Sequence, residues 1–247
     1  NSKHSSIVIE MKFQKYESRY QAGQILADYI LDKNKSLKNI FDRDSEQCFS
    51  FAIPNGGVPV AEGFCDRLKI QYDIVIVRKI KIPYNTEAGF GSITTDGTTF
   101  LNEPLLKSLS LSQSQIDDSI NRTKKEINER LKFYKKKDTE IQKKFRLIIE
   151  NNFIFLMDDG LASGYTMLAA IHMINNYNPR KVYVAVPTAP YHTVLRIQNN
   201  VNEIFCPNIK NTTWFAVADA YQNWYDVPES EVIETLRKSK CYIDKII

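Results

Sequence analysis

The stretch 153–166, FIFLMDDGLASGYT, constrains the fold of this chain more than any other part of the sequence. Five uncharged residues precede two consecutive acids, Asp158 and Asp159, and an apolar run of this length fits a strand buried on both faces of a sheet. The pattern TMLAAIHMINNY then predicts a helix from Thr166. Ligands of open α/β sheets bind at the carboxyl ends of the strands, so the two acids are candidate binding residues.

The loop between the acids and this helix has the composition of a phosphate site. Gly160, Ala162, Ser163 and Gly164 carry little bulk, so backbone N–H groups can approach a ligand closely, and the start of a helix adds unpaired N–H donors and a partial positive charge. Carboxylates repel a phosphate and therefore need another partner, which can be sugar hydroxyls, a divalent cation or both. The structural alternative is an ordinary turn with acids near a helix N-cap.

Two further segments suit an anion. The segment 48–53 reads as a strand and runs into the loop PNGGVPVA, where Gly56 and Gly57 permit close approach of the backbone. The segment 72–77 reads as a second strand that ends in Arg78 and Lys79, which can neutralise an anionic leaving group. The alternatives are a tight strand-to-helix turn and two solvated surface charges.

The remaining pattern predicts an α/β fold with a mainly parallel central sheet flanked by helices. An amphipathic helix is expected over 18–31, and strands are expected at 181–187, 203–206 and 214–217. The segment 80–100 reads as a loop or loose hairpin. The segment 103–137 reads as helical, with a capping box at Ser112 and Gln115.

Length and composition fit one folded domain, 1–247. Of the 247 residues, 43% are hydrophobic and 25% are charged, and acids are interleaved with lysines, so the net charge of +4 does not indicate a nucleic-acid partner. The four cysteines lack a CxxC pattern, which predicts no zinc site or disulfide framework and favours a reducing, cytoplasmic location. No apolar segment has the length of a bilayer span, and the polar amino terminus does not resemble a signal peptide, so no membrane partner is expected.

The run 158–166, DDGLASGYT, resembles the binding motif for phosphoribosyl pyrophosphate (PRPP) in type I phosphoribosyltransferases. The segment 53–61 is similar to Ile-Pro-Arg-Gly-Gly-Val-Pro-Val-Ala in a subgroup of mostly unassigned base specificity, with Asn55 standing in place of the arginine. The stretch 102–134 resembles the helical insertion of the same subgroup. The resemblance implies an insertion at about 103–145 and a small hood built from the two terminal segments.

The resemblance also implies roles for individual residues. The catalytic set is Asp158, Asp159, Arg78 and Lys79, with the two acids holding the ribose hydroxyls. PRPP binding is expected of Asp158, Asp159, Gly160, Leu161, Ala162, Ser163, Gly164, Tyr165 and Thr166. Pyrophosphate binding is expected of Asn55, Gly56, Gly57, Arg78 and Lys79. A flap at 83–97, with Glu87 and the run 89–91 touching ligand, is expected to exclude water. Mg²⁺ is expected to be held mainly through PRPP, with no dedicated protein ligand assigned.

The acceptor is not fixed by these motifs. Hypoxanthine-guanine enzymes carry an acid at the position of Ala162, which argues against a 6-oxopurine enzyme of that type and leaves adenine, orotate, uracil, xanthine or a non-nucleobase amine open. Trp214, Phe215, Tyr221 and Trp224 are candidates for stacking on a base, with packing in the core or hood as the alternative.

Three functions fit the sequence to different degrees. The first is a magnesium-dependent phosphoribosyltransferase acting on PRPP and an unidentified base, with a homodimer left open. The second is a PRPP-binding regulatory protein without significant turnover, which Asn55 favours because asparagine brings no charge. The third, an unrelated magnesium phosphohydrolase using the two acids, is weakened by the loop that follows them.

Overall fold

A computed structural model describes residues 13–134 and 140–244, with only the backbone described at Thr86 and Glu87. In chain order its helices and strands are α1 (Arg19–Lys33), α2 (Lys35–Arg43), β1 (Cys48–Ala52), α3 (Gly57–Leu68), β2 (Gln71–Ile74), β3 (Val77–Ile82), β4 (Asn85–Thr94), β5 (Thr99–Leu101), α4 (Glu103–Ser108), α5 (Gln113–Phe133), α6 (Ile141–Ile149), β6 (Phe153–Met157), α7 (Tyr165–Asn175), β7 (Lys181–Ala185), β8 (Thr188–Pro190), α8 (Tyr191–Ile197), β9 (Glu203–Phe205), β10 (Asn208–Lys210) and α9 (Glu229–Lys238).

The core is a five-stranded parallel sheet in the order β2-β1-β6-β7-β9. The apolar run of β6 lies in the middle of this sheet, and all five of its residues are buried, as expected for a strand covered by helices on both faces. Parallel pairing places Ala52 of β1 opposite Met157 of β6. The loops after these two strands therefore meet at one edge. The predicted α/β fold with a mainly parallel central sheet is confirmed.

The predicted strand 72–77 is wrong in one respect, because the chain leaves the central sheet after Ile74. The N–H of Ile76 donates to Thr95 Oγ1 over 2.6 Å, and the Thr95 hydroxyl donates back to the Ile76 carbonyl over 3.2 Å. These bonds tie residue 76 to the end of β4, so β3 starts a separate sheet. The segment 80–100, predicted as a loop or loose hairpin, lies in this second sheet, where β3, β4 and β5 pair antiparallel in the order β3-β4-β5.

Two more predictions need comment. The segment 214–217 forms no strand, because the chain turns there and enters a short 3-10 helix, Val217–Ala220. The polar amino terminus, residues 1–12, and the last three residues of the predicted helical segment 103–137 lie outside the described residues.

The helices between β5 and β6 agree with the helical pattern and the capping box predicted from the sequence. The capping box that starts α5 is confirmed, since Gln115 N donates to Ser112 Oγ and Ser112 N donates to Gln115 Oε1. Ile127 and Leu131, four residues apart, are buried on one face of α5, which packs against β3 and β4. The helix thus crosses the small sheet and ends near the loop after β1.

Helix α1 crosses α3 at unusually close range through two glycines. A methyl group on Gly23 would lie 2.0 Å from the carbonyl oxygen of Val60, and one on Gly63 would lie 2.0 Å from that of Tyr20. Only a residue without Cβ fits at either point. Because α3 begins at the glycine loop, this crossing fixes the amino end of α1, with Arg19, beside the carboxyl end of β6.

The substitution Gly63→Ala tests this crossing. The added methyl group meets backbone, so α1 has to move, and we expect the free energy of unfolding to fall by ~1–3 kcal/mol even though alanine favours a helix. Urea unfolding measures the change. Ile25→Ala, at a site on α1 that is 41% exposed, is the control and should be nearly neutral. Equal stability of Gly63→Ala and the wild type would contradict the close contact.

The segments that flank the central fold meet each other. Tyr16 N donates to Ala220 O, and Gln222 N donates to Tyr16 O, so the stretch before α1 runs beside the stretch before α9. The Tyr16 hydroxyl donates to Pro187 O and anchors both to the loop after β7. Within the described parts of the chain, no helix is long and apolar enough to cross a bilayer.

Candidate active site

Two loops meet where β1 and β6 end side by side. A methyl group on Gly56 would lie 1.9 Å from Asp159 Oδ2, and one on Gly57 would lie 3.0 Å from the Asp158 Cα. The PNGG loop and the two acids, each predicted from a separate motif, therefore touch. The adjacent glycines are needed because a larger residue at position 56 would occupy the place of the Asp159 carboxylate. The peptide bond between Pro54 and Asn55 is cis.

These loops line a cavity of about 490 Å³, called here the main cavity. The predicted site residues in its lining are Asn55, Gly56, Arg78, Asp158, Asp159, Gly160, Leu161, Ala162, Ser163, Gly164 and Thr166. The other lining residues are Arg19, Pro54, Arg130, Met167, Val217, Trp224, Asp226 and Val227. Acids, arginines and the small-residue loop thus share one concave surface.

The small-residue loop is held from outside the main cavity. Gly164 has φ +82°, a conformation that favours glycine, and directly precedes α7. The Thr193 hydroxyl donates to Ala162 O over 2.6 Å, and the Arg196 guanidinium donates to Ser163 O. Carbonyls bonded on the outer side leave the loop amides and the start of α7 for an anion.

The two acids are strongly coupled. Asp159 N donates to Asp158 Oδ1 over 2.8 Å. Loss of hydration, together with the negative charge of Asp159, raises the pKa of Asp158 well above its ordinary value. Loss of hydration also raises the pKa of Asp159, although the Arg19 guanidinium opposes that rise. Two charged acids at this place therefore lower the stability of the folded chain. A ligand that donates hydrogen bonds to them or brings positive charge offsets this loss.

Arg19 is a site residue that the motifs did not reveal. Its Nε lies 2.8 Å from Asp159 Oδ2, and its Nη2 donates to Tyr225 O over 3.0 Å. The guanidinium carbon lies 4.1 Å from the ring centroid of Trp224, a cation–π contact. Arg19 is only 5% exposed. A charged residue on the apolar face of α1, three and four residues before buried Ala22 and Gly23, was the available signal.

The aromatic candidates for a base site fall in different places. Trp224 lines the main cavity. Tyr221 is buried behind it, with its hydroxyl donating to Asp159 O over 2.6 Å. Trp214 is 91% exposed, and neither it nor Phe215 belongs to the described lining of the main cavity. Of the four, Trp224 is the ring placed to stack on a ligand.

Arg78 and Lys79 point to opposite faces of β3, because successive side chains of a strand alternate. Arg78 lines the main cavity. Lys79 lines a second cavity of about 350 Å³, together with Gly89, Gly91, Ser92, Phe100, Asn102, Ser163, Tyr165 and Thr166. The two cavities share Ser163 and Thr166, so the segment of the predicted flap faces the small-residue loop from the other side. The side chain of Glu87 lies outside the described residues.

The raised pKa of Asp158 predicts a gain of stability on its removal. An acid whose pKa is higher in the folded chain than its ordinary 3.8 lowers stability at pH 7, and this penalty shrinks as the pH falls and the acid takes up a proton. We therefore expect Asp158→Asn to raise the unfolding temperature at pH 7 by roughly 2–4 °C. The gain should diminish toward pH 4.

Scanning calorimetry at several pH values measures this gain. Asp42→Asn, at an exposed site on α2, is the matched control and should leave the unfolding temperature nearly unchanged at every pH. A destabilised Asp158→Asn protein, or a gain that does not depend on pH, would contradict the raised pKa.

Comparisons with known proteins agree with this arrangement. A "Putative phosphoribosyl transferase" of Mycobacterium tuberculosis, found in two strains, is 28% identical over 187 residues, which make up 76% of this chain and 41% of that protein. The chain thus spans about two fifths of the length of these curated relatives. The crystal structure of TT1426 from Thermus thermophilus matches with a TM-score of 0.68 and 25% identity, covering 90% of this chain and 98% of that one.

The family model described as "Phosphoribosyl transferase domain" matches residues 21–223, a range that includes β1, the glycine loop, β6 and both acids. Since this range is most of the chain, the chain belongs to the phosphoribosyl transferase domain family.

Proposed function

We propose that this chain transfers the 5-phosphoribosyl group from PRPP to a nitrogenous base, with Mg²⁺, and releases pyrophosphate. One observation carries the proposal. Two partly buried acids, a small-residue loop at the start of α7 and a glycine loop flanked by arginines surround a single cavity of about 490 Å³. The chemistry of PRPP divides in the same way, into ribose hydroxyls, a 5′-phosphate and a pyrophosphate.

The acids and the loops would bind different parts of the donor. Asp158 and Asp159 accept hydrogen bonds from the ribose hydroxyls, which relieves the loss of hydration that raises their pKa values. The loop 162–166 takes the 5′-phosphate at the start of α7. Gly56 and Arg78 face the pyrophosphate.

The reaction then needs charge stabilisation more than a protein nucleophile. The bond between C1 and the pyrophosphate oxygen breaks, its electron pair leaves with the pyrophosphate, and positive charge develops on the ribose. The lone pair of a base nitrogen forms the new bond to C1, and a proton on that nitrogen passes to solvent. Arg78 and the loop amides stabilise the negative charge on the leaving group.

The residues present fit a magnesium ion held mainly by the substrate. Mg²⁺ binds through one or two carboxylates together with substrate phosphates and water, and keeps much of its hydration. Among the described residues no group of three or more acids, histidines or cysteines is arranged to hold a metal. Asp158 and Asp159 are the carboxylates beside the cavity. The bound ion would neutralise charge on the pyrophosphate oxygens.

Ala162 is the residue that most restricts which base can be the acceptor. It lines the main cavity without a carboxylate, so we propose an acceptor other than hypoxanthine or guanine. Trp224 is the proposed stacking surface for that acceptor, and Asp226 contributes a polar side chain to the same lining.

A screen of acceptors tests this function. The protein is incubated with PRPP and Mg²⁺ and each of adenine, orotate, uracil, xanthine and simple amines, and released pyrophosphate is measured against a reaction without acceptor. Acceptor-dependent release from one member supports the transferase. Release that ignores the acceptor would instead indicate hydrolysis.

A regulatory protein that binds PRPP without turnover is the second candidate. The uncharged Asn55 in the glycine loop favours it, because this side chain can donate a hydrogen bond but brings no positive charge to stabilise the leaving pyrophosphate. PRPP binding without pyrophosphate release in any acceptor reaction would select this function. We place either activity in a reducing compartment such as the cytoplasm, which the four free, buried cysteines suit.

A further inference from the structure

Asn55 is tied to its neighbours instead of facing the main cavity freely. Its Nδ2 donates to Val227 O over 2.8 Å. Its Oδ1 accepts from Arg130 Nη1 over 3.1 Å and more weakly from the Tyr134 hydroxyl over 3.4 Å. Both lone pairs of the amide oxygen are therefore used. The asparagine joins the glycine loop to the end of α5 and to the segment before α9, and it adds no charge.

The charge beside this loop comes from Arg130 of α5. Arg130 lines the main cavity together with Asn55, Gly56 and Arg78, so guanidinium groups from two different elements flank the glycine loop. The contacts with Asn55 and Glu229 use one N–H on each terminal nitrogen. A guanidinium has five N–H donors in a planar fork that matches phosphate oxygens. Arg130 thus keeps donors for a ligand while its position is fixed.

Glu229 forms an ion pair with Arg130. Its Oε1 lies 2.5 Å from Arg130 Nη2, and both side chains are partly exposed. Glu229 is the first residue of α9, where the helix dipole stabilises a carboxylate without a partner. The acid can therefore release the arginine at modest cost when a more highly charged anion enters the cavity.

We propose that Arg130, from the helical insertion, binds the pyrophosphate group of PRPP and supplies the positive charge that Asn55 does not bring to the glycine loop. Glu229 competes with the pyrophosphate for the same guanidinium. The inference rests on the proposed use of PRPP. It gives the insertion a direct part in the donor site and makes Asn55 a positioning residue for Arg130.

Titration calorimetry with three ligands tests this role. PRPP, inorganic pyrophosphate and ribose 5-phosphate are each titrated, with Mg²⁺, into the wild type and the variants. Arg130→Met is expected to lower the affinities for PRPP and pyrophosphate 10- to 100-fold, as for the loss of a charge-assisted contact. The affinity for ribose 5-phosphate should stay within twofold of the wild-type value. Glu229→Gln is expected to raise the affinities for PRPP and pyrophosphate several-fold, because it removes the carboxylate charge that competes for Arg130.

Two controls separate the outcomes. Arg122→Met removes an exposed charge from the same helix and should change no affinity. Glu229→Gln keeps Arg130 and Asn55 intact and so remains informative if Arg130→Met unfolds. Unchanged pyrophosphate affinity in both Arg130→Met and Glu229→Gln, or an equal loss for ribose 5-phosphate, would overturn the role of Arg130 alone. A wild type that binds none of the three ligands would overturn the proposed function itself.

Discussion

Replacing both Asp158 and Asp159 by asparagine is expected to weaken PRPP binding about 10²- to 10⁴-fold. Each carboxylate would accept a hydrogen bond from the ribose, and a bond to a charged group contributes ~1.5–3 kcal/mol. Asparagine preserves size and a carbonyl oxygen but loses the charge. Titration calorimetry with PRPP and Mg²⁺ measures the loss.

The single variant Asp158→Asn is the control for this result, because it keeps the pair between Arg19 and Asp159. It should lose at least tenfold in affinity while its unfolding temperature rises. A double variant that binds PRPP as the wild type does would show that the acids do not hold the donor. A double variant that no longer unfolds cooperatively would assign the loss to Arg19, left buried without its partner.

Gly56→Ala is expected to disable the donor site while leaving the core intact. The added methyl group would lie 1.9 Å from Asp159 Oδ2 and 2.4 Å from its carboxyl carbon, so the acid has to rotate away from Arg19 and from the main cavity. We expect PRPP affinity to fall by roughly 100-fold, similar to the loss of one charged contact and the shape around it.

A double-mutant cycle with Asp159→Ala tests this explanation. If Gly56→Ala acts by displacing the Asp159 carboxylate, the protein carrying both changes binds PRPP no more weakly than Asp159→Ala alone. Additive losses would indicate that the methyl group acts elsewhere in the glycine loop.

The sequence predicted those parts of the site whose residues lie within one continuous strand and the loop that follows it. The apolar run of β6, its two acids and the loop to α7 are consecutive, and parallel pairing of β1 with β6 brings the PNGG loop to the same edge. Strand endings were harder to predict, because Ile76 is bonded to Thr95 on a different strand. No local pattern encodes that pairing.

The residues that the motifs missed approach the site from distant elements. Arg19 lies at the main cavity because Gly23 and Gly63 let α1 lie close to α3. Arg130 lies there because α5 crosses the small sheet. Helical periodicity offered a partial signal in both cases. Arg130, for example, lies three residues after buried Ile127 and four before buried Tyr134. Periodicity does not show which residue of another helix, strand or loop each arginine contacts.

Calorimetric titration of the wild-type protein with PRPP in the presence of Mg²⁺ tests the central claim most directly. We predict saturable binding at one site per chain, tighter than the binding of ribose 5-phosphate, because the pyrophosphate adds contacts at the glycine loop and its arginines. Absence of PRPP binding, or equal affinity for PRPP and ribose 5-phosphate, would contradict a cavity built for both halves of the donor.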